Sequence, residues 1–481
     1  MCDLKLLFVG AEALPFASTG GLADVLGSLP AALKREKGDD LDIRAVLPLY
    51  QSVSEKYRAQ MTHVADYNVQ LSWRNQPCSL WKCEKDGVTY YFIDNSYYFS
   101  RGNLYGNFDD GERFAYFSMA VMEMLPQIGF FPDILHAHDW QSALCVIYLR
   151  TKYSWMREYQ NIHAVYTIHN IDYQGIYDFS ILGDVFGLSD YERSIVEYNG
   201  MINLTKGAIV CCDRLTTVSK RYAEEIQTEY FASGLHHIIR MYSGKVTGIV
   251  NGIDVSYYDP ETDPAIVKNY TAETAEEGKA ANKAQLQRLF GLPEAPEVPV
   301  VAMVSRLASH KGFDLVKYAI ERLLCRNVQF VLLGTGESEL EAFFESLAKR
   351  YPDKVGLMLA YNKDLSKQIY AGADLFLMPS KSEPCGLAQM IASRYGTVPV
   401  VREVGGLSDT IRAFDPTTGE GNGVTFYAYD AMDMLSAVER GISYYENGEQ
   451  WKRLRDNAMR ADFSWSCSAK QYLSMYTEVL S

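Results

Sequence analysis

The amino-acid sequence predicts an α/β protein built of two doubly wound lobes, each on a parallel sheet. Three observations carry this reading. Short apolar, β-branched runs recur along all 481 residues. Each is followed by a loop and then by a helix-like pattern. One glycine turn occurs twice, as GGLADV at Gly20–Val25 and GGLSDT at Gly405–Thr410. Near-continuous apolar strands alternating with helices indicate sheets covered on both faces.

In chain order, the runs of the first half are Lys5–Gly10, Ile43–Leu47, Tyr90–Ile93, Ile134–Ala137, Ala164–Ile168 and Leu215–Val218. Those of the second half are Val298–Val304, Val328–Leu333, Val355–Leu359, Asp374–Met378 and Val398–Val401. Two sheets are expected, because a single open sheet of that width is uncommon. The seam falls near residues 244–262, where Gly, Asn, Asp and Pro surround a short strand. The expected divisions are 1–247, 248–460 and 461–481. The last contains a helix, Ser466–Leu480, with Tyr472, Leu473, Tyr476 and Val479 at helical spacing.

Composition narrows the function. The chain has 46 Lys and Arg against 60 Asp and Glu, a net charge of −14. Such a field repels phosphate polymers and anionic lipid, so nucleic acid and membrane surfaces are excluded as general partners. No apolar run approaches the roughly 18 residues of a membrane span. The chain enters a strand within its first residues, which leaves no room for a signal or transit peptide. Nine cysteines without a CxxC pair read as reduced thiols, and the expected location is cytoplasmic.

In parallel sheets, ligands bind beyond the carboxyl ends of the strands. The residues there are His138, Asp139 and Trp140; His169 and Asn170; Ser305 and Arg306, with Lys311 close behind; Gly334, Thr335 and Gly336; and Ser380, Lys381 and Glu383, then Cys385. Arg306 offers a planar fork of donors and Lys311 a mobile point charge, so these two are the best phosphate ligands. GTGESELE, from Gly334, is half of a dinucleotide fingerprint, which marks a backbone turn near phosphate better than it marks NAD. The paired glycines at each repeated turn are expected to let backbone approach a ligand and to offer donors at a helix start.

No metal site is expected. His136 and His138 are read as lying on opposite faces of a strand, and Asp40 and Asp42 precede a strand instead of following it. Cys385 has no partner cysteine nearby and reads as a small loop residue. The 34 Tyr, 21 Phe and 6 Trp suit a carbohydrate protein, since aromatic rings stack on sugar faces. The loop Asn95–Gly106 concentrates them.

The motifs in this order resemble the bacterial glycogen synthase and plant starch synthase family (glycosyltransferase family 5), almost end to end. They are TGGLADV at Thr19–Val25, YYFSRGNLYG at Tyr97–Gly106, HAHDWQ at His136–Gln141, TIHNIDYQG at Thr167–Gly175 and VNGID at Val250–Asp254. VSRLASHKG at Val304–Gly312, SEPCGL at Ser382–Leu387 and VGGLSDT at Val404–Thr410 follow.

The resemblance implies a GT-B fold with an acceptor lobe first, a nucleotide-sugar lobe second and a last helix crossing back to the first lobe. It implies transfer of glucose from ADP-glucose, with UDP-glucose as the alternative donor, to the non-reducing end of an α-1,4-glucan. Anomeric configuration is retained and neither cofactor nor metal takes part. By family position, Arg306 and Lys311 stabilise the leaving diphosphate, His169 lies against the transferred glucose, and Glu383 holds the sugar and its developing positive charge. Backbone of Cys385, Gly386 and Leu387 binds sugar hydroxyls and phosphate, Tyr361 stacks on adenine, and Asp24, Asp139 and Asn251 line the cleft. Gly20, Gly21, Gly405 and Gly406 form the two turns, and Gly334 and Gly336 leave space for the nucleotide. Two positions depart from the family pattern: Ser18 stands where Lys is usual before the first turn, and Val404 where Thr is usual before the second. Two other readings fit the motifs less well: another GT-B enzyme such as a glucan phosphorylase or sucrose-type synthase, and a non-enzymatic glucan-binding protein.

Overall fold

The computed structural model describes residues 4–481. They divide into two units, one of residues 4–251 with 465–481 and the other of residues 252–464.

The first unit contains twelve strands: β1 (Leu4–Val9), β2 (Leu41–Pro48), β3 (Thr62–Leu71), β4 (Arg74–Lys85), β5 (Val88–Asp94), β6 (Ile134–His138), β7 (His163–Ile168), β8 (Ile176–Tyr177), β9 (Glu197–Tyr198), β10 (Met201–Asn203), β11 (Arg214–Thr217) and β12 (Val246–Gly248). Nine of them form one sheet in the order β12-β11-β7-β6-β1-β2-β5-β4-β3. Strands β12 through β5 pair in parallel, and β4 and β3 extend the sheet as an antiparallel hairpin. The hairpin departs from the expectation of a parallel sheet. Its first strand is exposed or half-buried through Asn68, buries only Val69 and Leu71, and carries no apolar run. Three short strands form a small antiparallel sheet, β8-β10-β9.

From β1 the chain moves outward to β2, and from β6 it moves outward the other way to β7. The β1–β6 boundary is therefore a switch point, where the carboxyl-end loops part and leave room for a ligand. Strand β6 is buried along its whole length, histidines included. The C-terminal helix Trp465–Leu480 belongs to this unit and buries Trp465, Ala469, Tyr472, Met475 and Tyr476.

The second unit is one parallel sheet in the order β15-β14-β13-β16-β17-β18. Its strands are β13 (Val300–Val304), β14 (Gln329–Leu333), β15 (Val355–Met358), β16 (Leu375–Met378), β17 (Val398–Arg402) and β18 (Val424–Phe426). Here β13 and β16 flank the switch point. The helix Phe313–Leu324 shows how such a sheet is covered. It buries Phe313, Val316, Ala319, Ile320, Leu323 and Leu324, an apolar stripe at the 3.6-residue period.

Candidate active site

Each unit gathers its chemistry at the carboxyl ends of its strands. In the first, the loop after β1 carries Ser18, Gly20 and Gly21, all exposed, and runs into the helix Gly21–Lys37, which bears Asp24. A methyl group added at Gly20 or Gly21 would meet no atom within 4 Å, so both glycines border open space. The loop is pinned by Glu12. Its buried carboxylate accepts from Thr19 N–H, from Thr19 Oγ1 at 2.6 Å and from Tyr105 Oη at 2.6 Å. Glu12 thus ties the glycine turn to the aromatic loop. That loop is held in turn by Arg113, which is fully buried and donates to the carbonyls of Tyr98 and Leu104 at 2.8 and 3.1 Å. Glu12 and Arg113 were both missed from sequence. Reading the residues after β1 as closely as those after β6 would have found Glu12; nothing near Arg113 in the chain marks it.

Asp139 follows β6 in a left-handed conformation, φ 57°. Its N–H donates to Thr167 O at 2.9 Å, and its Oδ1 accepts from His169 N–H at 2.7 Å. Asp139 thereby locks the ends of β6 and β7 together and sets the position of His169. Burial pushes the Asp139 carboxyl up to about 7 and the half-buried His169 ring down to about 3, so His169 is neutral at pH 7. Nδ1 of His138 lies 2.9 Å from Nε2 of His169. His136 and His138 do not occupy opposite faces, contrary to the sequence reading. Residues i and i+2 share a strand face, and the two rings lie 4.2 Å apart at the centroids. Asn251, beyond β12, is buried, and its side-chain oxygen has no hydrogen-bond partner.

In the second unit, Arg306 and Lys311 follow β13. Arg306 is exposed and makes no side-chain ion pair or hydrogen bond among the described residues. Lys311 Nζ donates to both oxygens of Glu383, at 2.9 and 2.7 Å, and Ser380 Oγ donates to Glu383 Oε2 at 2.9 Å. Glu383 is buried and therefore held as the shared acceptor of a cation and a hydroxyl. Cys385 is buried, while the backbone N–H groups of Gly386 and Leu387 donate to no described residue. Tyr361, beyond β15, is 82% exposed, a ring face open for stacking.

The glycines of this unit are packed closely against backbone. A methyl group at Gly334 or Gly336 would lie 1.8 Å from Ser305 O or 1.9 Å from Leu307 O. The room they leave is taken by the 305–307 backbone, which runs beside them through Leu307 N–H to Thr335 O at 2.9 Å and Glu337 N–H to Leu307 O at 2.8 Å. The close approach these glycines allow lets the 305–307 backbone, and with it Arg306, lie against them. Gly405 has φ 47°, and a methyl group there would lie 2.0 Å from Glu383 O. Gly406 N–H is not a free donor either: it reaches Glu383 O and Pro384 O at 3.1 and 3.2 Å. This second turn buttresses the segment that carries Glu383.

Family models match both units: a starch synthase catalytic domain over residues 5–241 and a group 1 glycosyl transferase domain over residues 288–460. A glycogen synthase from Bacillus cereus is 46% identical over 479 residues, covering 99% of this chain and all of that one. The chain belongs to the glycogen synthase and starch synthase family. A glycogen synthase from Ligilactobacillus salivarius is 46% identical over the same lengths. The catalytic domain of starch synthase IV from Arabidopsis thaliana, solved with ADP and acarbose, superposes with a TM-score of 0.91 at 36% identity, covering 99% of each chain. A sucrose-phosphate synthase from Thermosynechococcus elongatus, at 16% identity and a TM-score of 0.62, shares the fold. The fold of this family member is GT-B, and the protein is a glycosyltransferase of glycogen and starch synthesis. No described helix is long and apolar enough to cross a membrane.

Proposed function

We propose that the enzyme transfers glucose from ADP-glucose to the non-reducing end of an α-1,4-glucan, with retention at the anomeric carbon and without a metal ion. One observation carries the reading most: beyond β13 stands an unpaired, exposed Arg306, and five residues on Lys311 is held against Glu383. Breaking the anomeric bond releases a nucleoside diphosphate, and negative charge grows on its β-phosphate. The Arg306 guanidinium and the Lys311 ammonium stabilise that charge as it forms. The Glu383 carboxylate, drawn between Lys311 and Ser380, is placed to face the complementary positive charge on the sugar. The open N–H groups of Gly386 and Leu387 serve sugar hydroxyls or phosphate oxygens, and Tyr361 the adenine.

In this reading the second unit binds the nucleotide sugar and the first binds the glucan. His169, Asp24 and Asp139 serve the transferred sugar and acceptor, Asn251 lies with them, and the open space at Gly20 and Gly21 takes substrate. The Arabidopsis starch synthase bound to ADP and acarbose supports both ligand classes. A cytoplasmic location accompanies the reading: eight described cysteines are unpaired thiols, as suits a reducing compartment.

The test is chain growth on a maltooligosaccharide primer with ADP-glucose and UDP-glucose in parallel, each with EDTA. Elongation by α-1,4 linkages from ADP-glucose, undiminished by EDTA, is the expected result. Growth that needs an added divalent ion, or only UDP-glucose as donor, would overturn the corresponding part.

A further inference from the structure

Behind His169, strand β6 carries two histidines to which the proposed reaction gives no part. His136 has both ring nitrogens engaged, Nδ1 with the Tyr476 hydroxyl at 2.7 Å and Nε2 with Thr167 Oγ1 at 2.6 Å. His138 is different. Its Nδ1 meets Nε2 of His169 at 2.9 Å, while its own Nε2 is buried with no partner. The ring packs against both Phe8, at 5.4 Å, and His136, at 4.2 Å.

Burial holds both His138 and His169 in their neutral forms at pH 7. A neutral imidazole has one N–H and one bare nitrogen, so one ring donates and the other accepts. There are two arrangements. If His169 donates from Nε2, His138 accepts on a bare Nδ1 and must carry its own hydrogen on Nε2. That leaves a buried N–H with no acceptor. If His138 donates from Nδ1, its buried Nε2 is only a bare lone pair, and His169 carries its hydrogen on Nδ1. Buried donors without partners are rarer than under-satisfied acceptors. The second arrangement also puts the remaining N–H on the half-buried residue, where Nδ1 has no partner among the described residues.

We infer that His138 is a positioning residue that fixes His169 in the tautomer with hydrogen on Nδ1. His169 then meets its ligand as a hydrogen-bond donor and cannot take up a proton through that nitrogen. The tautomer follows from the geometry of the first unit alone. That the ligand is the transferred sugar rests on the function proposed above. On that reading, the sugar atom facing His169 must be an acceptor such as a hydroxyl oxygen, and a cationic amino substituent there is rejected.

The experiment is long-range ¹H–¹⁵N spectroscopy of the full chain labelled in its 8 histidines, with His169 identified by loss of its signals in His169→Asn. Wild-type protein is expected to show a protonated Nδ1 and a bare Nε2 at His169. In His138→Phe the ring stack is kept and the donor is lost. There the tautomers are expected to mix and kcat to fall about 3- to 10-fold, the worth of one hydrogen bond. His138→Asn returns an amide donor near the Nδ1 position and is expected to restore the tautomer and most of the turnover. A protonated Nε2 at His169 in wild type overturns the inference, and that measurement needs no His138 variant to fold. A pure Nδ1–H tautomer in folded His138→Phe overturns it too. If the tautomers mix while kcat is unchanged, the role of His138 stands and the proposed contact between His169 and the sugar fails.

Discussion

Arg306 is the cation with no internal competitor, whereas Lys311 is already neutralised by Glu383. This difference sets the first expectation. Arg306→Ala should lower kcat about 10²-fold or more, because a donor at a growing anion acts chiefly in the transition state. A pure rise in KM would show that Arg306 only binds the donor. Ser18 is exposed beside a turn pinned by Glu12, so a longer side chain has room there. Ser18→Lys is expected to lower KM for ADP-glucose up to about tenfold with kcat little changed, the partly solvated share of a charge-assisted hydrogen bond. Steady-state kinetics decides both. Asp139 governs pH dependence. Its folded value, near 7, lies above the ordinary carboxyl value, so its protonated form stabilises the fold. That contribution is full below about pH 4 and is lost as pH rises through 7. The depressed histidines 136, 138 and 169 act oppositely: the unfolded chain binds their protons better, and stability is lost as pH falls below about 6.5. Asp139→Asn keeps the acceptor for His169 N–H and removes only the first effect. Relative to wild type, its stability should therefore improve by about 2–3 kcal/mol between pH 5 and pH 8. Melts at the two pH values check this, and a difference that does not change with pH refutes it.

At the scale of elements, the repeated glycine turn was legible as a repeat, but its two jobs were not. The spelling GGL is the same at both places, and only the surroundings differ. Gly21 faces open space, while Gly336, Gly405 and Gly406 each lie against a backbone oxygen. Gly21→Ala is expected to leave the melting temperature near wild type and to raise KM. Gly336→Ala must push the 305–307 backbone aside and should cost about 1–3 kcal/mol, the usual penalty of overpacking. A stability loss in the first variant, or none in the second, would reverse the assignment. The same distinction explains what the sequence reveals of the fold. Strands buried on both faces, such as β6 and β14, stand out as apolar runs. The hairpin β3–β4 has one wet face, and β18 is three residues long, so neither leaves a run to read. Reading strand ends pointed to Arg306, Lys311, Glu383 and His169 as candidates. Glu12 stands just after β1, and only its link to Tyr105, 93 residues on, depends on the folded chain. His138 was named at its strand end, but misassigning its face hid its contact with His136.

Over the whole molecule, the chain leaves the first unit at residue 251 and returns at residue 465 to finish it. What it adds is not peripheral. The helix Trp465–Leu480 buries Trp465, Tyr472, Met475 and Tyr476. Ser468 Oγ donates to Val250 O at 2.6 Å, and Arg214 pairs with Glu478 at 3.1 Å. Tyr476 also supplies one of the two partners of His136, directly beneath the histidine stack. Each large apolar side chain contributes about 1.5–3 kcal/mol on burial. Four of them together rival the roughly 5–15 kcal/mol net stability of a whole domain. Ending the chain after Ser464 should therefore unfold or strongly destabilise the first unit while the second, whose sheet lies wholly within residues 252–464, keeps its own melting transition. Calorimetry is the right measurement, because two units need not melt as one. A milder variant separates packing from the polar link. Tyr476→Phe keeps the ring and leaves His136 Nδ1 buried without a partner, at a cost of about 1–3 kcal/mol in the first transition alone. If truncation left that transition in place, the helix would be a passenger; if it removed both transitions, the second unit would depend on the first for its fold.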